Sequence, residues 1–205
     1  AEILNDFAAP RLKERGIELD VIEYTDYLKP NEDAISGELD ANYFQHINYL
    51  NNYNEENGSD LVNVGAIHYE PFGIFPGRSS DLDDIAEGAT ISVPNDPTNE
   101  GRALLLLQDL GLITIDEAAG VTATVNDITD NPRGIKIAEQ EAAVLPSTLA
   151  DVDFAVINGN YAIDAGLSLA DAVATENADS TAVREQYVNI IATRPELKDD
   201  ECIAA

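Results

Sequence analysis

Residues 89–111 read ATISVPNDPTNEGRALLLLQDLG and carry a complete strand–turn–helix unit. Ala89 to Val93 is a short β-favouring run. Pro94 to Asn99 supplies Pro, Asn and Asp, each of which favours a turn. Glu100 to Leu110 is a run of strong helix formers, stopped by Gly111. The same alternation extends outward in both directions. Toward the N-terminus, Ile3, Leu4, Phe7, Ala8 and Leu12 recur at helical steps, predicting a helix from Ala1 to Gly16 with a bend near Phe7 caused by Pro10. Ile17 to Tyr24 alternates as a strand does, Asn31 to Leu39 reads as a helix ending near Gly37, Ala41 to Tyr53 as strand then helix, and Leu61 to Ile67 as a strand. A second unit is expected to begin near Pro71. Toward the C-terminus, Ile135 to Glu139, Phe154 to Ile157 and Tyr187 to Thr193 read as strands, with a helix-like Ala142 to Leu149 among them. Strand and helix alternate throughout, which predicts α/β architecture with mainly parallel sheets. The chain opens on a helix and closes at a helix start, so the reading expects a chain trimmed of an edge element at each end.

Composition narrows the function classes. An apolar share of 44% argues against disorder in a chain of 205 residues, which is long enough for one domain or two small lobes. The longest apolar run, Ala103 to Leu107, is far short of the ~18 residues a membrane span needs. Thirty-nine acids against 11 bases give a net charge of -28, the wrong sign for neutralising phosphates, so nucleic acid is set aside as a partner. The acidity reads as a solvated surface. The single cysteine, Cys202, cannot form an internal disulfide and reads as a half-buried helical thiol, while His46 and His68 stand too far apart for zinc spacing.

Chemical signatures are sparse. There is no Gly-x-Ser-x-Gly elbow, no His-Glu-x-x-His and no G-x-G-x-x-G, and the Gly73–Arg78 stretch lacks the Lys-Ser/Thr of a phosphate loop. Asp81, Asp83 and Asp84 lack the remaining calcium-loop positions and read as a helix N-terminus decorated with acids. Asn57-Gly58-Ser59 reads as a turn. No catalytic residue, metal site or cofactor is expected. What does recur is polar and aromatic residues at the ends of predicted strands, where open α/β sheets bind ligands. These are Thr25-Asp26-Tyr27, then Asn42 to His46 with Tyr49, then Asn95 to Asn99 leading to Arg102, then Asn158 to Tyr161, and Asn189 on the last strand. Such an inventory suits a free amino acid. Arg102 near a helix start could face a carboxylate. Asn158 and Asn189 offer carbonyls to an ammonium group, and Tyr27, Phe44, His46 and Tyr49 could wall an apolar tail. Each also has a plainer reading: a surface cation for Arg102, turn formers for the asparagines, a satisfied histidine and ordinary core for the rings.

The motif set resembles the MetQ/NlpA family of methionine-binding lipoproteins over nearly the whole chain. The resemblance rests on Glu38-Leu-Asp-Ala-Asn42 with Phe44-Gln-His46 and Tyr49-Leu50, and on the run from Val93 to Leu107. Glu141-Ala-Ala, Leu145-Pro146, Ala155-Val-Ile-Asn158, Tyr161-Ala162 and Tyr187-Val-Asn189 follow in order. It implies a type II periplasmic-binding-protein-like fold of two α/β lobes joined by two crossing strands, with residues 1–71 plus 186–205 in one lobe and 72–185 in the other. It also implies a ligand-binding set of Tyr27, Phe44, His46, Tyr49, Arg102, Asn158 and Asn189. The function so implied is a monomeric, non-catalytic extracytoplasmic receptor that captures L-methionine between its lobes and delivers it to the transmembrane permease of an ABC importer, held at the cell membrane surface by a lipid on an upstream cysteine. The sequence departs from the family at Asn48, where proline is usual, and in the loop from Leu167 to Glu185. The family's leading strand and closing helix lie outside residues 1–205. Alternatives within the same fold are D-methionine, a methionine-containing dipeptide or another apolar amino acid. Alternatives of other classes are an amino-acid enzyme and a surface adhesin.

Overall fold

The computed structural model describes residues 1–177 and 181–204. In chain order the elements are α1 (Ala9–Glu14), α2 (Lys29–Ser36), β1 (Ala41–His46), α3 (Ile47–Asn57), β2 (Val62–Tyr69), β3 (Gly73–Pro76), β4 (Thr90–Pro94) and α4 (Pro97–Asp109). They continue with β5 (Thr114–Ile115), β6 (Ile128–Asp130), β7 (Lys136–Gln140), β8 (Phe154–Ile157), α5 (Gly159–Asp164), β9 (Ala174–Thr175), α6 (Thr181–Tyr187) and β10 (Val188–Thr193). They form two compact units, residues 1–67 with 189–205, and residues 68–188. The chain passes between units twice, within β2 and at the start of β10. The sequence reading put those crossings at 71/72 and 185/186. No described helix is long and apolar enough to cross a membrane.

The first unit has a three-stranded sheet in the order β1-β10-β2, with β1 and β10 antiparallel. Its apolar core is small: Ala34, Leu50, Leu61, Ile190 and Ala192, with Leu39 and Ile47 packed against it. A buried amide cluster adds to it. Gln45 Nε2 donates to Asn31 Oδ1 (2.7 Å) and to Asn42 Oδ1 (2.9 Å), while Asn31 Nδ2 donates to Gln45 Oε1 (3.1 Å) and Asn42 Nδ2 to Asn31 Oδ1 (2.9 Å). Buried amides are tolerable only when satisfied in this way, and here they tie α2 to β1. Ahead of α1 the helix is π-helical over Ile3–Ala8, the wider turn falling where Pro10 cannot offer an N–H.

The second unit is built on a five-stranded sheet in the order β7-β4-β8-β3-β9. β4 runs parallel to β7 and β8, whereas β3 runs antiparallel to β8 and β9. The sheets are therefore mixed rather than mainly parallel, because β3 and β9 follow connections that the apolar pattern alone did not resolve. Its core joins Ile74, Ile91, Val93, Phe154 and Val156 on the sheet, with Phe72 just ahead of β3, to Ala103, Leu104 and Leu107 on α4. Gly101 allows α4 to lie against residues 120–122, since a Cβ there would fall 2.2 Å from the Val121 carbonyl oxygen.

Several local expectations are corrected. Residues 17–22 alternate in burial, but 17–24 form no ladder among the described residues. Pro97 to Asn99 belong to α4 rather than to a turn, because Pro suits the first helical position and the Asp96 side chain caps by accepting from Asn99 N (3.1 Å). Ala142–Asp151 is a 3₁₀ helix, consistent with Pro146 in its middle. Asp81 Oδ1 accepts from Asp83 N and Asp84 N in a bend, so no helix starts there. Cys202 is exposed in a turn, not half-buried in a helix. Of the 167–185 loop, positions 178–180 lie outside the described residues. The rest holds a 3₁₀ turn at Leu169–Asp171, β9 and the start of α6.

Candidate functional site

In the first unit, β1 and α3 bring the four expected rings together. Tyr27 and Phe44 have centroids 5.6 Å apart, Tyr27 and Tyr49 5.9 Å, Phe44 and Tyr49 5.8 Å, and His46 and Tyr49 6.4 Å. Most contacts are edge-on, the arrangement that ring quadrupoles favour. The register of β1 against β10 shifts between Tyr43 and Gln45, so Phe44 is the extra residue of a bulge. Bulges re-aim a side chain, and this one does so beside the cluster. His46 caps α3: its Nδ1 accepts from Tyr49 N (3.1 Å), which places the neutral ring's proton on Nε2. Tyr49 Oη donates to the Tyr27 carbonyl (3.1 Å) and fastens the segment before α2 to α3. Asn189 stands opposite His46 across the β1/β10 pairing.

The polar members Arg102 and Asn158 lie in the second unit, at the carboxyl ends of β4 and β8. Arg102 is buried, with 4% of its surface exposed, and its guanidinium stacks over Phe72 (4.0 Å) and Tyr187 (4.3 Å). Its Nε donates to Glu176 Oε1 (2.7 Å), and its Nη2 donates to Glu176 Oε2 (2.6 Å) and to the Glu70 carbonyl (2.8 Å). Glu176 is held independently by Tyr69 Oη (2.8 Å) and Phe72 N (2.9 Å). Burial and the adjacent carboxylate hold the Tyr69 hydroxyl well above the ordinary phenol range, so it remains a donor. Arg102 is therefore not a bare cation. Of its three nitrogens, Nη1 alone makes no hydrogen bond among the described residues. Glu176 is the functional neighbour that the sequence did not suggest, because nothing local to it signals a partner 74 positions away.

Asn158 is set by a relay. Asp96 Oδ2 accepts from Asn99 Nδ2 (2.8 Å), so Asn99 must turn its Oδ1 the other way, where it accepts from Asn158 Nδ2 (3.2 Å). The Asn158 Oδ1 is then left buried without a hydrogen-bond partner among the described residues. Asn99 and Arg102 are three residues apart on one face of α4. Glu70 closes the group from the other side, since its carbonyl accepts from Arg102 and its side chain approaches Gly159, where a Cβ would fall 3.1 Å from the Glu70 Cβ. One donor edge and one unmet acceptor are thus bracketed by the same few residues. A hollow of about 350 Å³ elsewhere on this unit, lined by Ala143, Pro146, Ser147, Tyr161, Asp164 and Ala165, shares none of these groups. No cluster of His, Cys, Asp and Glu suited to a metal ion occurs among the described residues.

Comparison with known proteins adds to this geometry. The model of the NlpA lipoprotein family matches residues 1–205. The D-methionine-binding lipoprotein MetQ of Escherichia coli is 41% identical over 189 residues, covering 91% of this chain and 68% of that protein. A nutrient-binding protein from Burkholderia cenocepacia, whose structure contains bound methionine, superposes with a TM-score of 0.92 at 42% identity, covering 98% of this chain and 83% of the other. A periplasmic substrate-binding protein of an ABC transporter from Coxiella burnetii superposes with a TM-score of 0.91 at 40% identity over the same shares.

Proposed function

We propose that this chain, which belongs to the NlpA lipoprotein family, is a non-catalytic receptor that captures methionine outside the cytoplasm and delivers it to the permease of an ABC importer. The observation that carries the reading is that the second unit links Arg102, through Glu70 and through Asn99 on the same helix, to Asn158, whose buried Oδ1 has no hydrogen-bond partner among the described residues. A donor beside an orphan acceptor is the complement of an amino-acid head group, carboxylate to Arg102 and ammonium to Asn158. The ligand set proposed on the family resemblance adds Tyr27, Phe44, His46 and Tyr49 for an apolar tail, with Asn189, opposite His46 on β10, as a second carbonyl. Sulfur–aromatic contact contributes ~0.3–1.5 kcal/mol to a thioether there, beyond roughly 2 kcal/mol of burial.

The names of the relatives support methionine as ligand and an ABC transporter as destination. The family's description as lipoproteins supports a lipid anchor at the membrane surface. All seven proposed residues come from one chain, so a monomer is sufficient. The two units correspond to the two lobes of the receptor. D-methionine is the second reading, favoured by the name of the Escherichia coli relative.

Mass spectrometry of the purified, denatured protein tests the proposal. Methionine released in near-stoichiometric amount supports it, and chiral separation assigns the enantiomer. A methionine-containing dipeptide or another apolar amino acid would move the ligand within the class, and steady turnover of added methionine would replace the receptor with an enzyme. A chain that releases no small molecule and binds none when challenged would fit an adhesin instead.

A further inference from the structure

We infer that Glu176 is a positioning and charge-balancing residue that restricts the head-group site to net-neutral zwitterions. The inference rests on the reading that Arg102 and Asn158 receive the ligand's head group. A buried guanidinium without a counter-ion would be an anion trap, drawing in any carboxylate small enough to reach it. Here the counter-ion is built in. Glu176 is 7% exposed and accepts four hydrogen bonds: from Arg102 Nε and Nη2, Tyr69 Oη and Phe72 N. Two of those four donors do not belong to Arg102, so Glu176 keeps its place whether or not a ligand is bound, and an incoming carboxylate cannot cheaply displace it. Three consequences follow from this geometry. The pair contributes no net charge. The ligand meets Arg102 through the Nη1 edge, in an orientation fixed by Glu176 on the opposite edge and by Phe72 and Tyr187 on the faces. A ligand that brings a carboxylate without an ammonium leaves Asn158 Oδ1 unmet and adds an uncompensated negative charge beside Glu176.

The residue is thus tested by selectivity rather than by affinity alone. The probes are methionine and 4-(methylthio)butanoate, which is methionine without its amino group, both titrated calorimetrically against ligand-stripped protein. The wild type is expected to prefer methionine strongly. Glu176→Gln keeps an oxygen for Tyr69 and Phe72 but removes the charge, and is expected to shift the ratio of the two dissociation constants at least tenfold toward the anion. Glu176→Asp keeps the charge and is expected to keep the wild-type order. A loss of packing would weaken both ligands together and leave the ratio unchanged. That result overturns the inference, and so does an equal shift in Glu176→Asp. Should Glu176→Gln not fold, the wild type still decides, since binding of 4-(methylthio)butanoate within about threefold of methionine contradicts a charge-balanced site. Methionine binding with an unchanged ratio defeats this inference alone, whereas a wild type that binds no methionine defeats the proposed function with it.

Discussion

Arg102 and Glu176 meet edge to edge, Nε to Oε1 at 2.7 Å and Nη2 to Oε2 at 2.6 Å, with both side chains buried. The pair changes what a mutation at Arg102 can report. Arg102→Ala removes the proposed carboxylate donor, but it also strands a buried carboxylate, which costs about 3–5 kcal/mol of stability. Combining Arg102→Met with Glu176→Gln should restore most of that loss in denaturant unfolding. The double variant should still bind methionine at least ~30-fold more weakly, the equivalent of about 2 kcal/mol. Near-wild-type affinity in the restored variant would remove Arg102 from the site.

The aromatic cluster predicts selectivity. Tyr27, Phe44, His46 and Tyr49 present an apolar wall with few donors. Glutamate would lose its side-chain hydration there without a cationic partner and should not compete with labelled methionine. Norleucine and leucine should bind more weakly by roughly 1–3 kcal/mol, reflecting shape and lost sulfur contacts. Phe44→Ala should weaken methionine and narrow the gap to norleucine. Equal displacement by glutamate and methionine would exclude the cluster as the tail site.

The amide cluster beneath β1 predicts a stability effect. Asn31→Leu removes the donor to Gln45 Oε1 and the acceptor shared by Asn42 Nδ2 and Gln45 Nε2, which keep only Pro30 O and Asn42 Oδ1 respectively. Each orphaned group costs about 1–3 kcal/mol. The unfolding midpoint of the variant should fall accordingly in urea. A change below ~0.5 kcal/mol would mean that water or a rearranged amide satisfies the cluster.

Glu100 predicts a pH dependence. Burial in the first turn of α4 pushes its carboxyl up to about 7, against a hydrogen bond from Val125 N that pulls it down, with Glu139, Asp96 and Asp127 adding repulsion. The folded state therefore binds this proton more tightly than the unfolded state does. Its contribution is fully present below the unfolded value near 4.5 and is lost as pH rises through 7, by at most roughly 3 kcal/mol. Asp96, also raised by burial, acts in the same sense. Asp33 and Asp153 are lowered by hydrogen-bonding partners and act oppositely, in acid. The melting temperature should fall between pH 5 and 8, and Glu100→Gln should flatten that decline. A wild-type curve parallel to that of Glu100→Gln would contradict the assignment.

Much of this architecture is readable in the residues themselves, and the gaps have identifiable causes. Phe154–Ile157 was bounded correctly because four buried apolar residues between turn signals leave little choice. Residues 17–22 alternate in burial as a strand would, yet join no ladder among the described residues, since alternation reports burial and not pairing. Phe44 and Tyr49 could be named from their place after a strand, but the bulge at Phe44 arises from register against β10, which is set by residues far away in sequence. Asn158 could be named as a strand-end amide. That its Oδ1 is the unmet atom depends on Asp96 and Asn99, a relay that no local pattern displays. Glu176, in an unremarkable Ala-Thr-Glu-Asn stretch, was not legible at all.

The most direct test of the receptor reading is calorimetric titration of methionine into protein unfolded, dialysed free of carried-over ligand and refolded. The seven residues proposed to hold one amino acid predict a saturable isotherm with one site per chain, a sub-micromolar dissociation constant and a negative heat-capacity change from burial of the thioether. Refolded protein with native circular dichroism that gives no saturable heat with either enantiomer up to millimolar methionine would contradict the account.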